Sequence, residues 1–134
     1  MTIKRLTKED IRKASGTFNP VGHIVLALPD DAVAAEAVRA LHETGFGAAD
    51  ILEYSSSEVA PRLREMVASA SGVAGFGYEI TLMRRYLTLA EQGVGWLIVY
   101  APEDAAAARV AAIAERLNAE CAVRYHRLAN EDLI

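Results

Sequence analysis

The sequence predicts an α+β domain in which two strand–helix–strand units build one four-stranded sheet and a two-helix insert lies between the repeats. Three observations carry that expectation. Apolar runs of strand length occur at 24–28 and 94–101, far short of the ~20 residues that span a membrane. The segment 21–32 lies on 94–105 without a gap, keeping Val21/Val94, Gly22/Gly95, Pro29/Pro102, Asp31/Asp104 and Ala32/Ala105 in register. A two-residue shift at the next loop then pairs Tyr54 with Tyr125. Alanine richness inflates such matches in helices, but it does not put glycine, proline and tyrosine in step.

Residues 1–20 read as an N-terminal basic arm. Thr7 and Asp10 have the spacing of a capping box and predict a short helix over 8–14, broken by Gly16 and Pro20. The single α/β domain occupies 21–134, with the first repeat at 21–54, the insert at 57–92 and the second repeat at 94–128. After the first strand, Asp30 is a natural N-cap, and Val33, Ala34, Ala37, Val38 and Leu41 form one apolar stripe. Gly45 is placed to end that helix with a positive φ, and a second strand follows over 50–54.

In the insert, Ser55, Ser56 and Ser57 ahead of Pro61 mark a helix start; none sits in the Gly-x-Ser-x-Gly elbow of a nucleophile. Val59, Leu63, Met66, Val67 and Ala70 give its stripe. Gly72, Gly75 and Gly77 precede a second helix over 78–92. They lack the lysine of a phosphate loop and a preceding strand, and so read as a joint or a close helix crossing. Leu82, Met83, Tyr86, Leu87 and Ala90 cover a wide face of that second helix.

Right-handed crossovers put both repeat helices on one face of the sheet, which in tandem is the ferredoxin-like arrangement with the first strand of each unit central. The opposite face is then the natural bed for the insert. Residues 23–28 and 96–100 are apolar at both parities, as central strands covered on both sides are. Leu52, Tyr54, Val123 and Tyr125 alternate with Glu53, Arg124 and His126, as edge strands do, and Glu53 and Arg124 are expected to pair between edges or between subunits.

Over 134 residues, 52% hydrophobic and 24% charged content belongs to a folded globular chain. The net charge of −4 disfavours nucleic acid or an anionic membrane as partner. That charge is uneven: the first thirteen residues hold five bases against two acids, which leaves −7 on the rest and predicts a solvated arm docked on an acidic body in preference to a nucleic-acid tether. Cys121 is the only cysteine, so it reads as a small buried hydrophobe in a reducing compartment. With no apolar leader at the N-terminus, the expected location is cytoplasmic.

His23, Trp96 and Tyr100 are the candidate ligand-binding residues. His23 and Trp96 are equivalent in the repeat, and the three can share one sheet face and line a small pocket. The competing reading packs them against the insert with their polar tips hydrogen-bonded. His23, Cys121 and His126 lack the spacing of a zinc motif, and neither a metal nor another cofactor is expected. Arg84 and Arg85 beside Tyr86 can hold an anion or simply face solvent.

Residues 85–100, a tyrosine-bearing helix, a glycine turn and an apolar strand, together with the acidic helix start after them, resemble the C-terminal half of the small bacterial general stress proteins (the heat-induced stress protein family). The opening strand, the Ala/Glu-rich helix and Gly45-Phe46 resemble that family's first unit, while the arm is extra. The resemblance implies a non-enzymatic stress-associated domain and carries over no catalytic residue.

The leading expectation is a non-enzymatic cytoplasmic domain that self-associates, most simply as a homodimer, and serves in stress response or regulation. One alternative is a small-molecule sensor. Another is an enzyme of the small dimeric α/β-barrel type, against which the insert counts because it fills the cavity such enzymes use.

Overall fold

In the computed structural model, which describes residues 3–14, 18–71 and 78–134, the elements run α1 (Lys8–Lys13), β1 (His23–Leu28), α2 (Asp31–Glu43), a 3-10 turn (Ala48–Asp50), β2 (Ile51–Ser55), α3 (Ser56–Ser71), α4 (Tyr78–Glu91), β3 (Gly95–Tyr100), α5 (Asp104–Arg116), β4 (Cys121–Tyr125) and β5 (Asn130–Asp132). Local chemistry sets the boundaries. The Thr7 hydroxyl accepts from the Asp10 amide while the Asp10 carboxylate accepts from the Thr7 amide, closing the capping box of α1. The Asp30 carboxylate accepts from the Val33 amide at 2.8 Å to open α2. Gly45, at φ +106°, turns the chain out of that helix.

The five strands form one open antiparallel sheet in the order β2-β3-β1-β4-β5. β1 and β3 are central, and residues 23–28 are buried at every position. One face meets α2 and α5: Ile24, Leu26, Leu28, Leu97 and Val99 pack on Ala34, Ala37, Leu41, Val110 and Ile113. Small side chains let α2 lie close to the sheet. A Cβ on Gly95 would come within 2.8 Å of the Asp30 carbonyl oxygen, so only glycine fits there. The other face carries the insert: Ala27, Trp96, Val123 and Tyr125 pack on Leu63, Leu82, Tyr86 and Leu89 of α3 and α4. The insert therefore lies on its own sheet.

The register gives the repeat a geometric meaning. Val25 and Ile98 are equivalent in the internal alignment, and they sit directly opposite one another across the β1–β3 ladder. They mark the local two-fold axis that relates the two units.

Three differences from the sequence expectation concern the edges and loops. The sheet has five strands rather than four, because Asn130–Asp132 adds outside β4. β4 is consequently not an edge. Glu53 and Arg124 belong to strands separated by β3 and β1, and Arg124 instead binds the Asp104 carboxylate at 2.9 Å and the Pro102 carbonyl oxygen. Gly16 and the glycines 72, 75 and 77 lie outside the described residues. Among the described residues no helix is long and apolar enough to cross a membrane.

Candidate ligand-binding cavity

Antiparallel pairing at the β3 end of the insert-facing sheet sets Tyr54 opposite Trp96, and two strands of alternating residues carry Val25 and Ile98 onto the same face. These four side chains floor a cavity of about 670 Å³, a size typical of small-molecule sites. One wall is α3, whose Val59, Leu63 and Met66 recur at helical spacing and point inward together. Tyr86 of α4 closes one side. Ile11 of α1 and Phe18 close another, so the arm is part of the wall.

The aromatic part of this lining is rigidly held. Trp96 Nε1 donates to the Ser56 hydroxyl at 3.0 Å, and that hydroxyl donates to the Val94 carbonyl oxygen at 2.6 Å. Tyr86 meets the Trp96 ring edge-on with centroids 5.4 Å apart, and its hydroxyl shares a 2.8 Å hydrogen bond with that of Tyr125.

The arm is fastened at several points. The Leu6 amide donates to His23 Nε2 at 3.1 Å, and the Tyr100 hydroxyl donates to the Ile3 carbonyl oxygen at 3.0 Å. Ile3 fills the space where Gly22 has no Cβ, and Gly22 holds φ +83°. Arg5 pairs with Asp50. From α3, the Arg62 guanidinium donates to the carbonyl oxygens of Arg12 and Ala14, capping the C-terminal end of α1.

The three sequence candidates share this face but not one role. Trp96 lines the cavity. His23 and Tyr100 are opposite each other at the far end of the β1–β3 ladder, their rings 5.1 Å apart, and both are engaged by the arm. Val21 O lies 2.9 Å from His23 Nδ1 and can only accept, so Nδ1 carries the proton and Nε2 receives the Leu6 N–H. Burial holds the His23 imidazole below its ordinary pKa, against the opposing pull of the Val21 and Pro20 backbone. His126 binds Glu131, and burial pushes the Cys121 thiol up to about 11. Among the described residues no cluster of potential metal ligands forms. Arg85 is engaged with the Glu120 carbonyl oxygen and with Asp132.

The polar rim was not foreseen from sequence. Lys8, Glu9, Arg12, Glu58 and Arg62 border the cavity. Glu58 accepts from the Ser55 amide and hydroxyl, which holds its carboxyl below the usual range, and Glu9 is bound by Lys13 and Arg12. The Lys8 ammonium sits 4.4 Å from the centroid of the Tyr54 ring. The Tyr54 hydroxyl is buried and has no hydrogen-bond partner among the described residues. Burial, reinforced by the Glu58 charge and opposed by Arg62, raises its pKa, so it stays a protonated donor.

No protein-family model, no curated protein and no solved structure matches the chain.

Proposed function

We propose that this domain is a small-molecule-binding module built on a ferredoxin-like frame. The observation that carries the reading is the 670 Å³ cavity with its largely apolar lining, floored by Val25, Tyr54, Trp96 and Ile98. The antiparallel order β2-β3-β1-β4, with one helix between the strands of each repeat, supports the ferredoxin-like reading, and β5 is then an addition at one edge. Tyr54 is raised and Glu58 lowered, so neither is tuned toward the neutral range in which a general acid or base works best.

Self-association is a second reading, favoured by β2, which ends the sheet with one unpaired side. One experiment addresses both readings. Native mass spectrometry of the full chain isolated from its own cells should show an added organic mass per subunit, and the subunit count comes from the same spectrum. Val59→Phe and Met66→Phe, which fill the cavity, should each remove that mass and leave the circular dichroism unchanged. A parent protein without added mass, and equally indifferent to small apolar acids, amides and alcohols, would overturn the ligand reading. A monomer at micromolar concentration would overturn the second.

A further inference from the structure

We propose that the occupant is a neutral, apolar molecule held without hydrogen bonds, its flat hydrocarbon body on the rings of the cavity wall and any polar group left at the mouth. This rests on the cavity being a ligand site and names what the site selects. The hydrogen-bonding groups of the lining decide the class. Trp96 Nε1 donates to the Ser56 hydroxyl, and the Tyr86 hydroxyl shares its bond with Tyr125. The Tyr54 hydroxyl has almost no accessible surface, so Tyr54 shows the cavity its ring. Val25, Trp96 and Ile98 lie on β1 and β3, whose backbones are paired with a strand on either side. Among the described residues, no side-chain polar group inside the cavity is left to meet a polar atom of the occupant.

The charged side chains stand at the mouth. Lys8, Glu9, Arg12 and Glu58 are exposed, and the half-buried Arg62 holds the Arg12 and Ala14 carbonyl oxygens. Both signs mingle there in water. A carboxylate would meet Glu9 and Glu58 as well as the bases, and an ammonium group would meet the bases as well as the acids, so neither gains. A hydroxyl or amide carried inward would lose its water and find no partner. What the interior does offer is the rings of Phe18, Tyr54, Tyr86 and Trp96 with the Met66 thioether, surfaces on which an aryl body packs well.

NMR titration of the full chain with naphthalene, 2-naphthol and 2,6-dihydroxynaphthalene, read at the Trp96 indole N–H, tests this directly. One hydroxyl can stay at the mouth, but two at opposite ends cannot. Naphthalene and 2-naphthol should bind within several-fold of each other, and the diol at least about tenfold more weakly than naphthalene. The charged 2-naphthoate and 2-naphthylmethylamine should bind no tighter than 2-naphthol. Val59→Phe and Met66→Phe, with unchanged circular dichroism, should each weaken naphthalene at least about tenfold. A diol within about tenfold of naphthalene, or a charged compound tighter than 2-naphthol, would overturn the neutral occupant while the cavity stands as a ligand site. Failure of all five compounds, with no difference between the parent and Val59→Phe, would overturn both.

Discussion

Tyr54 and Tyr125 hold matching places in the two repeats and face the same side of the sheet, yet their hydroxyls end differently. Tyr125 finds Tyr86 at 2.8 Å, while the Tyr54 hydroxyl is buried with no hydrogen-bond partner among the described residues. Removing a buried unsatisfied hydroxyl relieves a desolvation cost, whereas removing a bonded one strands its partner. Tyr54→Phe is therefore expected to raise the unfolding free energy of the unliganded protein by about 1 kcal/mol, and Tyr125→Phe to lower it by about 1 kcal/mol. Denaturant midpoints at unchanged slope measure both, and losses of equal sign would refute the assignment. The matched pair was legible in the sequence because two tyrosines recur in register. Their difference was not, since Tyr86 comes from the insert, outside the repeat, and only three-dimensional packing sends it to one side. Arg62 likewise carries no local signal in the sequence.

At the scale of the element, α1 is a six-residue helix with no buried residue, too short to persist alone. It stays in place through contacts made by the segment around it, among them the Leu6 amide on His23. His23 is neutral in the folded state and its pKa lies below the ordinary 6.5. As pH falls below 6.5, the unfolded chain takes up a proton that the folded chain refuses, so stability falls with pH through that window. Protonation also places an N–H against the Leu6 N–H. We expect a loss of stability between pH 7 and 5, accompanied by faster hydrogen exchange at Leu6. His23→Gln keeps an acceptor but cannot titrate, and should flatten both trends. An equally steep slope in the variant would rule His23 out as their source. The sequence showed the helix and its capping box and read the arm as docked on an acidic body, which the Arg5–Asp50 pair fits. Two further anchors, the amide of Leu6 and the carbonyl of Ile3, are groups that nearly every residue owns, and such groups leave no trace in a pattern of side chains.

Across the whole molecule, the two sides of the sheet are unequal. The α2/α5 side is closed by interlocking alanine, valine, leucine and isoleucine, with Gly95 admitting the start of α2. The α3/α4 side contains the cavity and depends on the arm for part of its wall. A large cavity, walled in part by a short arm, lowers the free energy of local opening. Native-state hydrogen exchange should accordingly find α2, α5 and the central strands opening only with global unfolding, and α1 and α3 opening at lower denaturant. Uniform protection would contradict that division. The layered architecture was readable because apolar runs at both parities demand cover on both faces. The fifth strand was not, because Asn130, Glu131 and Asp132 bear no apolar side chain and pair with β4 through the backbone ladder. Considered optically, the protein holds one indole, that of Trp96, fixed by Ser56 within the cavity wall. Its emission therefore comes from a single known place, and any occupant that displaces water or quenches the ring changes it. The fluorescence of the unlabelled chain is thus a gauge of how full that cavity is.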